Sequence, residues 1–301
     1  MSAAERTIQQ QQARKAAKEH KAKNRRIFFK TLFSRKVVLV SSIILILIIL
    51  AAIFAPMISP YDPNAISVKV RNQGPTQAHL LGTDEFGRDV LSRIIYGSRV
   101  SLIVGVLAVV IACILGTLLG MVAGFFGGWV DDVISRIAEA IRVIPQVVLA
   151  IALCAVFGGG VVNVAVILGI SNLTVYIRMM RSQVMSIKER DYIMAGKLQG
   201  NSSLRLMMRH VLPNSISPII VTMTQQIGCT ILAEAGLSFL GIGSQPPHAS
   251  LGQMVSEAQE IFFRVPTASW GSLVSGGRSY LLSNPVYSLA PGVAIALLVV
   301  C

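Results

Sequence analysis

Charged residues are scarce in this chain, and their scarcity excludes an ordinary water-soluble fold. Only 14% of its 301 residues are Asp, Glu, Lys or Arg, whereas 53% are hydrophobic. A soluble domain typically carries about 25% charged residues. Much of the surface must therefore face something other than water, and the long apolar runs in the sequence indicate that this environment is a lipid bilayer.

Motifs for catalysis and for binding nucleotides or metals are also missing. The chain has no G-x-x-x-x-G-K-[ST] phosphate loop, so we predict that it is not an ATPase and not an enzyme. An intramembrane hydrolase is disfavoured because neither H-E-x-x-H nor G-x-S-x-G occurs. The four histidines are scattered and the four cysteines lack ligand spacing, so the sequence predicts no metal site and no cofactor.

Two clusters of positive charge predict the orientation of the chain in the membrane. Residues 1–36 carry eleven Lys and Arg residues against two acids, directly before the first apolar run. Residues 178–214 carry seven against Glu189 and Asp191. Positive residues beside a membrane span remain in the cytoplasm, so both segments and the amino terminus are predicted to be cytoplasmic. A basic segment is also typical of nucleic-acid binding, but its position beside a span favours the topological role, and we predict no nucleic-acid partner.

The apolar segments predict an all-α membrane protein with six transmembrane helices. About 20 apolar residues are needed for a helix to cross the roughly 30 Å of hydrocarbon. The six segments are approximately 37–55, 100–124, 133–157, 161–177, 216–237 and 287–301. The last segment is marginal in length, which predicts either a helix with little tilt in a thinned bilayer or a span that the sequence cuts short.

These segments divide the chain into four regions. Residues 1–36 form a basic cytoplasmic tail, and residues 37–55 form the first transmembrane helix. The polar residues 56–97 are predicted to form an extracytoplasmic loop. Residues 98–301 form a five-helix core that contains the cytoplasmic loop 178–214.

Small residues in the second segment predict close helix packing. Gly116, Gly120 and Gly124 recur at every fourth position. Little hydrophobic force drives helices together in lipid, so small residues on one face allow close contact between backbones. We expect these glycines to face another helix.

Three residues within the apolar segments are candidates for the transport pathway or a gate. Glu234 is ionisable at membrane depth, which indicates a function in the pathway or in a helix contact; a solvated position near the outer interface is the alternative. Glu139 is predicted to pair with Arg142, three residues further on. Pro145 predicts a kink that supports helix packing more than a ligand contact.

The 178–214 loop has the pattern of two short helices. Ser186 and Glu189 fit a capping box, which would start a helix that continues through Tyr192. The helix is predicted to break at Gly200 and Asn201.

A second short helix would begin at Ser202 or Ser203 and end near His210. Its end is expected there because Leu212 precedes Pro213 and is disfavoured in helical angles. The first short helix carries small residues at its centre and suits the groove of a partner protein, although an ordinary basic loop is the alternative.

The same loop resembles the EAA loop of binding-protein-dependent ABC importers. The family pattern is E-A-A, three residues, G, nine residues, I, one residue and L-P. The matching residues are Ala195, Gly200, Leu212 and Pro213, whereas Met194 replaces Glu, Gly196 replaces the second Ala and His210 replaces Ile. The loss of Glu removes any salt bridge expected from that position.

Further blocks resemble the second, C-type permease of dipeptide, oligopeptide and nickel importers. They lie at 81–93, 235–243 and 270–282, and the resemblance covers roughly residues 28–300. It implies the type I ABC importer permease fold in a bacterial or archaeal cytoplasmic membrane. The implied substrates are dipeptides or oligopeptides, with nickel or another small solute as further options. An ion-coupled secondary transporter is the alternative, but it would need paired interrupted helices.

The resemblance also implies the partners and the docking residues. The partners are a second homologous permease, two ATP-binding subunits, an extracytoplasmic substrate-binding protein and the lipid bilayer. ATP-driven closure of the two ATP-binding subunits would push the loop and rock the helix bundle between inward- and outward-facing states. The docking residues carried over are Glu189, Asp191, Tyr192, Ala195, Gly196, Gly200, Ser202, Leu212 and Pro213.

One departure from the family pattern lies between the fifth and sixth segments. Residues 247–256 are echoed nineteen residues later by residues 266–275. The echo indicates a local duplication or insertion in an external loop. It would either reshape the surface for the binding protein or be neutral.

Overall fold

The computed structural model describes residues 34–243, 249–263 and 285–300. The predicted basic tail therefore lies outside the described residues except for residues 34–36, and so does the second copy of the echo, at 266–275. Residues 48–300 form one compact unit, and all contacts described below lie within it.

The regular elements of the described residues are helices, which confirms the all-α prediction. A 3₁₀ turn covers Val68–Val70, and a π turn covers Met207–Val211. The α-helices are α1 (Lys36–Ile53), α2 (Ala55–Ile58), α3 (Val90–Phe126), α4 (Gly128–Val143), α5 (Gln146–Phe157), α6 (Val161–Lys188), α7 (Asp191–Leu198), α8 (Ser203–Leu206), α9 (Leu212–Phe239), α10 (Leu251–Phe263) and α11 (Pro285–Val300).

Fewer helices than the six predicted meet the requirements for a membrane span. Among the described residues, four are long and apolar enough: α1, α3, α6 and the continuous stretch Ser203–Phe239. The bent pair of α4 and α5 makes a fifth if it is one broken span. Helix α11 covers the sixth predicted segment with 16 residues.

Helix α3 begins about ten residues before the predicted start of the second span. Its first residue is Val90, because the Asp89 side chain accepts a hydrogen bond of 2.8 Å from the Ser92 N–H and caps the helix. The polar loop therefore ends at Asp89 instead of residue 97. At the other end, Gly127 adopts a φ of +66° and stops the helix.

The predicted third span is broken in the middle. Helices α4 and α5 are bent by 90° relative to each other, with Ile144 and Pro145 between them. Ile144 is extended, with φ −82° and ψ 125°. A residue before proline disfavours helical angles, and proline has no N–H for the helix ladder, so the chain turns here.

The glycines at every fourth position of α3 face α6, the helix with which α3 has its most extensive contact. A Cβ atom added to Gly116 would lie 2.6 Å from the Tyr176 Cβ, and one added to Gly124 would lie 2.8 Å from the Val184 Cβ. At Gly120 the obstacle would be the Ile177 backbone carbonyl. The absence of side chains at these positions permits the close approach of α3 and α6.

Helix α9 packs against α3 and α6 and also holds the two helices that follow it. Ile231 of α9 belongs to an apolar cluster with Val90 of α3, Leu251 and Met254 of α10, and Leu298 of α11. This cluster lies further along α9 than the contacts near the loop that leads into it, so α9 links the loop to this cluster.

Candidate functional site

The predicted capping box at Ser186 and Glu189 is wrong. Helix α6 continues through Ser186 to Lys188, and α7 begins at Asp191 with Arg190 at its N-cap. The longer α6 is stabilised because Ile187 is buried in the core and Lys188 Nζ donates to the Gly124 carbonyl oxygen over 3.0 Å. That bond also satisfies a carbonyl at the end of α3.

Helix α7 ends at Leu198, and the turn that follows it lies at Gly200 and Asn201, where the sequence predicts a break. Gly200 adopts a φ of +76°, which favours glycine. Its N–H donates to the Lys197 carbonyl over 3.0 Å, and the Asn201 N–H donates to the Gly196 carbonyl over 3.1 Å. This is a Schellman motif, in which two otherwise unpaired carbonyls are satisfied.

The inner face of α7 is anchored in the core. Ile193 is fully buried in an apolar cluster that includes Met121 of α3, Met180 of α6 and Ile219 of α9. Gly196 is also buried, with the side chain of Leu206 packed over it. A displacement of α7 therefore acts on three long helices at once.

The outer face of α7 is a stripe of exposed side chains. Asp191, Met194, Ala195 and Leu198 follow the i, i+3, i+4, i+7 spacing and all four are exposed. Of the two large apolar residues among them, Leu198 is more open than Met194, with 89% of the residue exposed against 50%. We call these four residues the outer stripe of α7.

The second short helix does not end near His210 as predicted. Helix α8 leads through the π turn directly into α9, and Leu212 keeps helical angles of φ −58° and ψ −47°. Pro213 has no N–H to donate, and its ring crowds the carbonyl four residues earlier. The π turn before it accommodates this interruption of the α-helical hydrogen bonds. The Asn214 Nδ2 donates to the His210 carbonyl over 2.6 Å. The loop is thus continuous with a helix of 37 residues, Ser203–Phe239.

The two charged candidates in the apolar segments lie in contrasting environments. Glu234 is fully buried and accepts hydrogen bonds from Ser101 Oγ at 2.8 Å and Ser238 Oγ at 2.7 Å. It is not solvated, and it joins α9 to α3. Glu139 forms its ion pair with Arg136 at 3.9 Å instead of with Arg142, and the side chains are 67% and 85% exposed.

A cluster of amide side chains that sequence reasoning missed lies beside the break between α4 and α5. Asn172 of α6 accepts two hydrogen bonds at its Oδ1, from Gln146 Nε2 of α5 and from Gln226 Nε2 of α9, both over 3.0 Å. Its Nδ2 donates to Thr230 Oγ1, also over 3.0 Å. Residues Gln146, Asn172, Gln226 and Thr230 are called the amide cluster below. Uncharged polar residues inside apolar segments are the only signal that could have identified it.

The polar loop before α3 is joined to α10 by buried ion pairs. Asp84 is fully buried and contacts Arg88 Nε at 2.5 Å and Arg93 Nη1 at 2.6 Å. Glu257 of α10 contacts the same two arginines, at 3.0 Å and 2.6 Å. Glu257 follows the first copy of the sequence echo, so the end of that segment is fixed to the loop.

These features define a multi-pass membrane protein of the transport permease class, with long apolar helices and a short helical loop anchored among them. Residues 116–301 match the family model described as "Binding-protein-dependent transport system inner membrane component". Residues 25–75 match the "N-terminal TM domain of oligopeptide transport permease C". The chain therefore belongs to the family of inner-membrane permease components of binding-protein-dependent ABC importers.

Curated relatives cover most of the chain. The dipeptide transport system permease protein DppC of Alkalihalophilus pseudofirmus is 40% identical over 83% of this chain and 76% of its own length. A putative peptide transport system permease protein of Brucella suis is 37% identical over 82% and 77%. The glutathione transport system permease protein GsiD of Shigella flexneri is 38% identical over 83% and 77%.

Proposed function

We propose that this chain is the subunit through which an ATP-driven importer moves short peptides across the cytoplasmic membrane. The observation that carries the proposal is α7, which is anchored by Ile193 in the core and leaves its outer stripe exposed. Peptides are the proposed substrate class because the relatives are named for dipeptide, peptide and glutathione transport.

The outer stripe is the proposed docking surface for a cytoplasmic ATP-binding subunit. Met194 and Leu198 are apolar and exposed, and Asp191 adds one negative charge at the start of the helix. Because Met194 stands where the EAA pattern has Glu, the contact with the partner is expected to rest on apolar burial more than on a salt bridge. Among the other docking residues carried over, Gly200 and Ser202 shape the turn that follows α7.

In the proposed mechanism, movement of α7 is coupled to movement of the membrane helices. Closure of two ATP-binding subunits would displace α7, and Ile193 and Gly196 would transmit the displacement to the helices that contact them. The continuous stretch Ser203–Phe239 would carry the motion from the loop through the membrane. The amino terminus and α7 are proposed to be cytoplasmic, as the distribution of positive charge indicates.

Two further partners complete the proposed assembly. A second homologous permease would cover part of the exposed apolar surface of α9, where Ile220, Val221 and Leu232 are open. A substrate-binding protein would deliver the peptide at the extracytoplasmic face. The loop and α10, joined by Asp84 and Glu257 through the two arginines, are the proposed platform for it.

Uptake by the reconstituted complex tests the proposal. The two permeases and the ATP-binding subunits are placed in proteoliposomes with the binding protein, and uptake of a labelled dipeptide is followed with and without ATP. The expected result is uptake that requires ATP and is lost in an Ala195→Glu variant, since a bulky charged side chain beside Met194 and Leu198 would prevent the burial of these two apolar residues against the partner. Uptake driven by an ion gradient without ATP would contradict the proposal.

A further inference from the structure

The amide cluster retains hydrogen-bonding capacity that the chain itself does not use. Gln146 and Gln226 each donate one amide N–H to the Asn172 Oδ1. Their own Oε1 atoms have no hydrogen-bond partner among the residues that the structure describes. Asn172 is only 2% exposed and is held on its other side by Thr230, so both glutamines are fixed in position.

The cluster lies deep in the membrane-spanning region. From Val161 to Asn172, α6 advances about 16 Å, and from Leu212 to Gln226, α9 advances about 21 Å, at 1.5 Å per residue. A polar group left without a partner at this depth costs free energy if it faces lipid, so such groups face a protein interior or a path for a polar solute. Gln146 is exposed at the break between α4 and α5, so its free oxygen is accessible.

The chemistry of the cluster selects the kind of ligand. The unused groups are uncharged. The two Oε1 atoms accept hydrogen bonds and suit N–H donors, and the second N–H of each glutamine amide can donate to a carbonyl oxygen. The cluster contains no carboxylate, so it has no fixed charge with which to retain a metal cation. Peptides differ in their side chains but share backbone N–H groups, so acceptors of this kind would serve many sequences equally.

We propose that the Oε1 atoms of Gln146 and Gln226 accept hydrogen bonds from backbone N–H groups of a peptide in transit. Asn172 is the positioning residue that holds both glutamines. The inference rests on the proposed function, because it concerns how that permease would contact its substrate. Recognition through the backbone lets side chains vary while the path still distinguishes a peptide from a solute without N–H groups.

An ester analogue of the substrate tests this directly. Trialanine and its analogue with the amide between the second and third residues replaced by an ester differ by one N–H donor. Initial rates of ATP-driven uptake of both are measured in proteoliposomes that contain the whole complex. The ratio of the amide rate to the ester rate is then compared between the wild type and each variant, so that the preference of the binding protein cancels.

The variants are Gln146→Met and Gln226→Met, which keep the side-chain length but remove the acceptor. Gln146 is exposed, so its substitution changes little packing. The matched control is Gln225→Met, the same change at an exposed neighbour outside the cluster. The expected result is an amide-to-ester ratio about two- to tenfold lower in both cluster variants, the range that one neutral hydrogen bond accounts for, and a wild-type ratio in the control.

Three outcomes would overturn the inference. An unchanged ratio with both uptake rates at the wild-type level would show that the free oxygens do not contact the peptide. An unchanged ratio with both uptake rates reduced would mean that the cluster only holds the helices together. An equal fall of the ratio in the Gln225→Met control would mean that the preference depends on the general polarity of the surface and not on the cluster. If the wild-type complex transports neither compound with ATP, the proposed function itself fails, which is a distinguishable result.

Discussion

Gly196 of α7 lies so close to Leu206 of α8 that a Cβ atom at residue 196 would be 2.8 Å from the Leu206 Cδ2. This contact holds the two short helices of the loop together on both sides of the turn at Gly200. Since Cδ2 is the end of a flexible side chain, a single methyl group can be accommodated there. A larger branched side chain cannot, because Leu206 is itself buried.

We therefore predict that Gly196→Ala retains the function of the loop and Gly196→Ile does not. The isoleucine would overpack the contact at a cost of about 1–3 kcal/mol and push α7 away from the core. The measurement is the amount of ATP-binding subunit that co-purifies with each variant. Equal retention of the partner by the alanine and isoleucine variants would show that the contact does not hold α7.

A second prediction concerns the packing of α3 against α6. Gly120→Ala would bring a methyl group against the Ile177 backbone carbonyl, and backbone cannot move aside as a side chain can. We expect a loss of about 1–3 kcal/mol, seen as a lower melting temperature of the purified protein in detergent.

Gly236→Ala in α9 is the matched control, because an added Cβ atom there would meet nothing within 4 Å. Alanine is also the better helix former, so this variant should melt at the same temperature as the wild type or above it. Similar losses at residues 120 and 236 would refute the role of the glycine face.

A third prediction concerns Asp84, which pairs with the same two arginines that Glu257 of α10 contacts. In Asp84→Asn the Arg88 and Arg93 guanidinium groups would lose the carboxylate that lies between them. Breaking a buried ion pair by removing one partner costs about 3–5 kcal/mol, so we expect a strong decrease in thermal stability.

Glu139→Gln is the control for this change. Its pair with Arg136 is exposed and long, at 3.9 Å, and exposed pairs contribute about 0–1 kcal/mol. The melting temperature of this variant should remain close to that of the wild type. If Asp84→Asn is equally harmless, the buried carboxylate of Asp84 does not stabilise the network of the two arginines.

Several features of the fold follow from local sequence, and others depend on distant contacts. The break at Gly200 was predictable because a positive φ favours glycine, and the glycines of α3 were predictable from their regular spacing. The capping box at Ser186 failed because Ile187 is buried in the core and extends α6, which local pattern does not reveal. The predicted end before Pro213 failed for a related reason, since a π turn carries the chain into α9.

The amide cluster illustrates what the sequence could not supply. Asn172 lies 26 residues after Gln146 and 54 residues before Gln226, the two residues that donate hydrogen bonds to it. Only the packing of α5, α6 and α9 brings them together. Glu234, the ionisable pathway candidate, is by contrast fully buried and accepts hydrogen bonds from Ser101 and Ser238.

The most direct test of the central claim is cross-linking from the outer stripe of α7. Leu198→Cys is introduced after the native cysteines have been replaced, with the exposed Leu204→Cys of α8 as the control. We predict that a membrane-impermeant thiol reagent labels Cys at position 198 only from the cytoplasmic side, that ATP-binding subunits protect it, and that it cross-links to them more efficiently than position 204. Labelling of position 198 from the outside of intact cells would contradict the account, because no cytoplasmic ATPase could then move α7.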